Sequence, residues 1–359
     1  MINQGLTICI CTYQRAQLLN LLLEDISRQT VLPELIVVVD GCPDGEVIPV
    51  LQKMALQSGI SFTYLPSNHP NLSYQRYLGW LAAQEISAAY LLYLDDDLRL
   101  HQQDAIEKLV GYLQADAQVV GVTSVINFGK MDDIFSSQPA LADQQSVRNQ
   151  AYFFLQWFRS AQKVKPGGLS PTGNRFLPIQ NGKCSTVQWL RGGVMLFRMS
   201  ALTLNCFSAD LFALDHIRCG KGEDTILSRR VMQFGKLVYA HDVVIDHPNS
   251  DIPKTYPTSA YKLAYATAYS RRFLNDHYRT TRQPYFRDRM ALLGSYIGNG
   301  LINFGRAFVR PRRYRFAYAT GYFVGSMRGL IQKPTAKNMA PQINWWADAG
   351  QAFDMKINI

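Results

Sequence analysis

Three consecutive carboxylates, Asp95-Asp96-Asp97, follow the apolar run Tyr90-Leu91-Leu92-Tyr93-Leu94. An apolar run that ends in acids predicts a buried parallel strand whose last residues emerge at the carboxyl edge of a sheet, where open α/β sheets bind ligands. On an extended segment Asp95 and Asp97 point to the same side, so they can share one divalent cation with diphosphate oxygens. The pattern predicts a metal-assisted nucleotide site, and the alternative is a helix N-cap formed by Asp97 or Asp104.

The first 125 residues alternate between strand-like and helix-like segments, which predicts a parallel sheet. The expected strands are 6–12, 35–39, 61–65, 90–94 and 119–126, and the expected helices are 15–28, 47–57, 73–85 and a fourth that ends near 113. Later regular segments are strand-like flanks within 186–198, a helix that is opened by residues 220–225 and runs to about 234, and a strand at 236–245. Polar or flexible residues follow the early strands, so we expect the chemistry at the carboxyl edge of the sheet.

The composition indicates a folded globular protein. Of the 359 residues, 47% are hydrophobic and 18% are charged, which suffices for a large core. The N-terminus lacks the basic-then-apolar pattern of a secretory signal, and no run of eighteen apolar residues occurs, so we expect a cytoplasmic protein. Cys9 and Cys11 lie two apart in an apolar run, which favours buried reduced thiols over half of a zinc site.

The basic charge is concentrated in the last third of the chain. Residues 254–337 contain 16 Lys and Arg but only two Asp, a net charge of +14. This asymmetry predicts a catalytic domain over 1–253 and a basic, aromatic-rich helical region over 254–359. Within the first domain, 127–185 is an irregular insertion rich in Pro and Gly, and long irregular segments in compact domains are usually functional. Its aromatic cluster at 152–158 predicts a helix with core aromatics or a substrate platform.

Taken together, these motifs resemble glycosyltransferase family 2. The segment 7–15 is similar to the family's first strand and its Thr-Tyr/Phe-Asn-Arg loop, with Gln14 in place of the usual Asn. The segment 36–44 is similar to the Val-Val-Asp-Asp-Gly-Ser stretch, and Asp95-Asp96-Asp97 matches Asp-x-Asp. The resemblance implies an α/β GT-A fold, a Rossmann-like and mostly parallel central sheet flanked by helices, here with a C-terminal helical extension.

The resemblance also implies how the donor is bound. Asp40 would hydrogen-bond the nucleotide base, and Asp95 would face the ribose and the diphosphate. Arg76 would contact the nucleotide, although Tyr77 replaces the family's Asn and Arg76 could equally be a surface charge. The residues implied in donor binding are Thr12, Tyr13, Arg15, Asp40, Arg76, Asp95, Asp96, Gly192, Gly193 and Glu223.

Metal binding and catalysis are implied in the same way. Asp95, Asp97 and His247 would hold Mn²⁺ or Mg²⁺, and His241 is the nearest competitor of His247. Such a cation neutralises charge that builds up on a departing nucleoside diphosphate. Asp224, in the motif Gly222-Glu223-Asp224, would be the catalytic base of an inverting enzyme.

The predicted activity is metal-dependent, inverting transfer of a sugar from a UDP-, GDP- or dTDP-linked donor to a hydroxyl of a glycan, lipid-linked or other acceptor. The basic, aromatic C-terminal region favours an anionic membrane surface, at the inner face of the cell membrane, or else forms a plain helical subdomain with a solvated basic face. One alternative function is nucleic-acid binding by that region. We expect no nucleic acid, because the acids of the site would oppose a polyanion. The other alternative function is that of a sugar nucleotidyltransferase, but residues 12–15 lack the Gly-rich loop expected of such an enzyme.

Overall fold

The computed structural model describes residues 2–127, 164–180, 182–248, 259–278 and 286–359. The aromatic cluster at 152–158, most of the insertion 127–185 and the domain boundary after 253 lie outside these residues. The division into two domains therefore stays a prediction.

The N-terminal part is the predicted β-α repeat. Apolar runs form the strands, and helices with one buried face connect them. The elements are β1 (Ile2–Thr12), α1 (Ala16–Ser27), β2 (Leu32–Asp40), α2 (Val47–Ser58), β3 (Ser61–Pro66), α3 (Leu72–Glu85), β4 (Tyr90–Asp95), α4 (Ala105–Ala115) and β5 (Val119–Asn127). Every strand and helix predicted for this part is confirmed, with ends that differ by a few residues.

The second half of the catalytic fold and the C-terminal region are also regular. The catalytic fold continues with β6 (Cys184–Val187), β7 (Val194–Arg198), α5 (Ala209–His216), α6 (Glu223–Val231) and β8 (Lys236–Asp246). The C-terminal region contains α7 (Ala260–Asp276), α8 (Phe286–Val309), α9 (Arg313–Ile331), α10 (Ala336–Met339), α11 (Trp345–Asp354) and β9 (Ile357–Asn358). The predicted helical extension is confirmed.

One sheet joins the nine strands found in the described ranges, in the order β6-β8-β5-β7-β4-β1-β2-β3-β9. Strands β4, β1, β2 and β3 are parallel neighbours, and β5 is parallel to β8. Strand β7 is antiparallel to both β4 and β5, and β6 and β9 are antiparallel edge strands. The sheet is therefore mixed but mainly parallel, as predicted.

Hydrophobic cores cover both faces of the sheet. Alternate residues of β1 point to opposite cores, so Cys9 packs under α3 while Ile8 packs under α1. Gly79 of α3 lies so close to Cys9 that an added Cβ would be 2.1 Å from its sulfur. Both Cys9 and Cys11 are buried free thiols, which confirms the prediction made for the pair.

The end of the chain returns to the sheet. Strand β9 pairs with the outer strand β3 through Asn358 and Ile357, and thereby covers an edge that would otherwise expose unpaired backbone groups. Just before it, Trp345 is buried in the core beneath α3, with its ring 5.4 Å from Tyr74 and 5.8 Å from Phe212. The last fifteen residues thus stabilise the catalytic sheet.

Trp345→Ala should lower the free energy of unfolding by about 3–5 kcal/mol, because it leaves a large cavity in this core. Urea denaturation followed by circular dichroism would measure the change. Leu56→Ala, at a side chain that is 89% exposed, should change stability by less than about 0.5 kcal/mol. Equal stability of the two variants would contradict the packing described for Trp345.

Candidate active site

Three polar residues, Thr12, Asp40 and Asp95, lie side by side where β1, β2 and β4 end. Thr12 is level with Asp40 in the β1–β2 pair, and Cys11 is level with Asp95 in the β1–β4 pair. The side-chain amide of Gln75 donates to the carbonyl oxygens of Thr12 and Val39, at 3.0 and 2.9 Å, and so joins the two strand ends. The predicted gathering of polar groups at this edge is therefore present.

Asp40 is completely buried at the end of β2. Its Oδ1 accepts a hydrogen bond from the Cys42 backbone N–H at 2.9 Å, and its Oδ2 accepts one from the Tyr64 hydroxyl at 3.1 Å. Burial raises the pKa of Asp40, and these two hydrogen bonds lower it by less. Tyr13 lies beside the same turn, since a Cβ added at Gly41 would be 3.3 Å from the Tyr13 ring.

Arg15 neutralises two of the three consecutive acids. Its Nη1 donates to Asp96 and Asp97, at 3.0 Å in each case, and the Thr12 hydroxyl donates to Asp96 at 2.8 Å. Burial raises the pKa of Asp96 to about 7 against the opposing effect of Arg15. Gln14 has a φ of 53°, in the left-handed region that Asn adopts more readily than Gln, which explains the family's usual Asn at this position.

The three predicted metal ligands lie near one another. His247 Nε2 is 3.4 Å from Asp97 Oδ1, and both groups influence the pKa of Asp95, which burial raises most strongly. His241 lies elsewhere, with its ring 2.9 Å from the Ser185 hydroxyl. Strand β4 ends at Asp95, so the extended geometry assumed for 95–97 stops there.

Within the part of the chain that the structure describes, no group of three or more His, Cys, Asp and Glu side chains is arranged to hold a metal ion. The arrangement of the carboxylates accounts for this. Asp95 turns toward Arg76 at 3.2 Å, whereas Asp97 contacts Arg15 and His247. The assignment of a metal to these three residues stays a prediction.

Arg76 is a buried side chain rather than a surface charge, with 3% exposure. Its Nη2 donates to Asp95 at 3.2 Å and to the Gly192 carbonyl at 2.8 Å, and its Nη1 donates to Glu223 at 3.1 Å. Burial lowers its pKa, but the charges of Asp95 and Glu223 raise it by more. One guanidinium thus connects α3, the end of β4, the loop before β7 and the start of α6.

Asp224 lies in the first turn of α6, next to Gly192. Its Oδ1 accepts from the Thr225 N–H at 2.7 Å and from the Thr225 hydroxyl at 3.3 Å, and its Oδ2 accepts from the Gly192 N–H at 3.0 Å. The remaining donor on Oδ2 is Arg175 Nη1. Gly222, which precedes α6, has a φ of 96° and so requires glycine.

Arg175 was missed in the sequence because it lies in the irregular segment without a motif around it. Besides contacting Asp224, its guanidinium lies 5.5 Å from the ring centre of Trp189. Gln75 was missed for a similar reason, since only the packing of α3 brings it to the strand ends. No local pattern in the sequence indicates either contact.

The paired glycines, for which the resemblance implies donor binding, each lie close to an acidic side chain. A Cβ at Gly192 would be 3.2 Å from Asp224 Oδ2, and one at Gly193 would be 3.4 Å from Asp95 Oδ2. The Gly193 carbonyl also accepts from the Asp95 N–H at 3.1 Å. The two glycines therefore lie between the candidate donor-binding acid and the candidate base.

The sheet order and this acidic carboxyl edge define the fold class as GT-A, the fold of nucleotide-diphospho-sugar transferases. Residues 7–172 match the model of a family described as Glycosyl transferase family 2. This part of the chain is therefore similar to family 2 glycosyltransferases, and the protein is a glycosyltransferase.

Two solved structures are among those similar to this chain. The mannosyltransferase PcManGT from Pyrobaculum calidifontis, in complex with GDP-Man and Mn²⁺, is 14% identical with a TM-score of 0.48; the match covers 91% of this chain and 87% of that one. Residues 1–349 of TarS from S. aureus are 9% identical with a TM-score of 0.49; the match covers 90% and 91%. A search of curated protein sequences found no match.

Gly192→Ala should lower kcat at least tenfold, because the added methyl group displaces the Asp224 carboxylate that it contacts. Donor turnover at saturating substrate would measure the effect. Gly111→Ala is the control, since a Cβ there meets no atom within 4 Å, and helix α4 should gain stability from it. An unchanged kcat in Gly192→Ala would contradict the close approach.

Glu223→Gln should make the free energy of unfolding less dependent on pH. Burial, with the Asp224 charge, raises the folded-state pKa of Glu223 above its ordinary 4.5. The folded state therefore holds a proton that the unfolded state has lost, and wild-type stability falls as the pH rises from 4.5 through the folded-state pKa. The neutral amide avoids this loss.

Denaturation midpoints at pH 4, 6 and 8 would measure the effect, with Glu46→Gln, an exposed position, as the control. We expect Glu223→Gln to exceed the wild type at pH 8 and to match it at pH 4. A wild type that is the more stable protein at pH 8 would show that Arg76 outweighs the cost of burying the Glu223 charge.

Proposed function

We propose that this glycosyltransferase moves a sugar from a nucleoside-diphosphate donor to an acceptor hydroxyl, with inversion at the anomeric carbon. UDP-, GDP- and dTDP-sugars are the donor classes considered, and the acceptor is a glycan, a lipid-linked sugar or another hydroxyl compound. The observation that supports this proposal most directly is the set of hydrogen bonds that Arg76 donates. It joins Asp95, on the donor side, to the start of the helix that carries Asp224.

The donor nucleotide would occupy the ends of β1 and β2. Asp40 accepts from Tyr64 and from a backbone N–H, so its carboxylate is held rigidly where a base can approach. Thr12 and Tyr13 border the same edge, and Arg15 supplies a partly exposed cation for a phosphate oxygen. Because Arg76 is buried and saturated with protein acceptors, we assign it to positioning rather than to direct nucleotide contact.

Asp95, Asp97 and His247 would hold Mn²⁺ or Mg²⁺. Their chemistry fits, since carboxylate oxygens are preferred by both ions and an imidazole nitrogen is accepted by Mn²⁺. The 3.4 Å separation of His247 Nε2 and Asp97 Oδ1 supports this assignment for two of the three groups. A cation bound there would neutralise charge on the departing nucleoside diphosphate.

Asp224 would accept the proton of the attacking hydroxyl. The acceptor oxygen forms a bond to the anomeric carbon from the face opposite the diphosphate, whose bond to that carbon breaks. Four donors surround the Asp224 carboxylate, and three of them belong to the rigid Gly192 and Thr225. The acceptor hydroxyl would therefore take the place of the fourth, the partly exposed Arg175.

We also propose that the enzyme works in the cytoplasm as a peripheral protein at the inner face of the cell membrane. The basic charge of residues 254–337 supports this location, because an anionic lipid surface attracts Lys and Arg.

Asp224→Asn should abolish sugar transfer and retain nucleotide binding, because the amide cannot accept the proton but keeps the shape of the site. Asp97→Asn should instead remove the Mn²⁺-dependent part of nucleotide binding. Thermal shift with Mn²⁺ and UDP, GDP or dTDP measures binding. Release of the nucleoside diphosphate from a panel of nucleotide sugars measures donor hydrolysis, which needs no known acceptor.

Asp116→Asn, a half-exposed carboxylate far along the sheet from these groups, is the matched control and should behave as the wild type. Wild-type turnover by Asp224→Asn would refute its role as the base. Stabilisation by a single-stranded oligonucleotide alone would favour nucleic-acid binding, and stabilisation by nucleoside triphosphates with a sugar phosphate would favour a nucleotidyltransferase.

A further inference from the structure

Helices α8 and α9 form a hairpin whose outer side is apolar. Four exposed large apolar side chains of α8 recur at helical spacing, and so do four of α9, so each set of four lies on one face of its helix. We call this surface the apolar hairpin face, formed by Met290, Ile297, Leu301 and Phe308 of α8 and by Phe316, Phe323, Met327 and Leu330 of α9. Leu301 is 62% exposed and Phe308 is 71% exposed.

Aromatic contacts join the two helices along this face. Phe308 and Phe316 have ring centres 5.6 Å apart, and Phe304 and Phe323 have ring centres 6.5 Å apart. These contacts join the exposed apolar side chains of α8 and α9 into one continuous surface. A contiguous exposed apolar patch commonly marks an interaction site.

The opposite side of the hairpin packs against the rest of the protein. A Cβ at Gly321 would be 2.2 Å from the Tyr261 carbonyl oxygen, and one at Gly325 would be 2.5 Å from that of Tyr265. Helix α9 therefore lies directly against α7, and Tyr322 is buried there. This packing fixes the direction in which the apolar hairpin face points, which is away from the protein.

The charged side chains around the apolar hairpin face are all basic. No Asp or Glu occurs between Arg289 and Ala347, and five arginines, at 306, 310, 312, 313 and 315, surround the hairpin turn. Arg315 donates to the carbonyl oxygens of Arg306 and Arg310, which ties the turn together, while the other four side chains are exposed. In the described ranges, no helix is long and apolar enough to cross a membrane.

We propose that the apolar hairpin face docks on a membrane surface containing anionic phospholipids, with its apolar side chains among the acyl chains and its arginines at the phosphates. Exposed apolar residues beside clustered arginines match both parts of such a surface. A symmetric dimer through this face would bring two sets of arginines into one interface, where like charges repel. The inference rests on the proposed peripheral location and is independent of the proposed sugar chemistry.

Flotation of the full chain with vesicles tests the proposal. We expect binding to phosphatidylcholine vesicles that contain phosphatidylglycerol, and at least tenfold weaker binding to phosphatidylcholine alone. Leu301→Gln/Phe323→Gln should weaken binding at least tenfold at any salt concentration. Arg310→Gln/Arg312→Gln/Arg313→Gln should weaken it about tenfold at low salt and much less in 1 M NaCl, where charges are screened.

Control variants make similar changes at the same number of exposed positions elsewhere, namely Leu56→Gln/Leu204→Gln for the apolar pair and Lys53→Gln/Lys183→Gln/Lys236→Gln for the arginines. They should bind vesicles as the wild type does. Melting temperatures check that each variant is folded, and donor hydrolysis without vesicles, which should be unchanged, tests the sugar chemistry separately.

Failure to bind anionic vesicles, or equal binding by folded variants and wild type, would overturn the proposal. A concentration-dependent dimer in light scattering that Leu301→Gln/Phe323→Gln dissociates, together with no vesicle binding, would assign the face to a second copy instead. Loss of donor hydrolysis with vesicle binding intact would refute the proposed chemistry and leave the docking surface standing.

Discussion

The buried guanidinium of Arg76 holds the candidate active site together. It donates hydrogen bonds to Asp95, Glu223 and the Gly192 carbonyl, which belong to segments far apart in the sequence. A buried charge is tolerated only when it is paired, and removing one partner of such a set typically costs about 3–5 kcal/mol. The same contacts connect the proposed donor side to the proposed base, so the stability of the region and the geometry of the candidate site depend on one side chain.

Basic side chains offset the negative charge at the acidic edge of the sheet. Arg15 neutralises Asp96 and Asp97, Arg76 neutralises Asp95, and Arg175 contacts Asp224. Burial nevertheless raises the pKa of Asp95 and of Asp96, so the compensation is incomplete. The cation proposed for Asp95, Asp97 and His247 would add positive charge to this edge.

The basic C-terminal region contributes to the catalytic fold as well as to the surface. Arg271 and Asn275 of α7 donate to the carbonyl oxygens of Thr172 and Pro171, and so hold the loop that carries Arg175. Farther along the chain, Trp345 fills the core beneath α3. The region therefore links the proposed docking surface to the loop beside Asp224 through one layer of helix.

Local patterns in the sequence suffice to predict the order of strands and helices along the chain and the edge of the sheet at which the acids gather. Those features depend on local apolar runs and on residues that end them, such as Thr12, Asp40 and Asp95. Three-dimensional packing was needed to establish that Arg76 is buried, that His247 rather than His241 lies beside Asp97, and that Arg175 contacts Asp224. Each of these facts depends on contacts between residues that lie far apart in the chain, and local patterns carry no information about such partners.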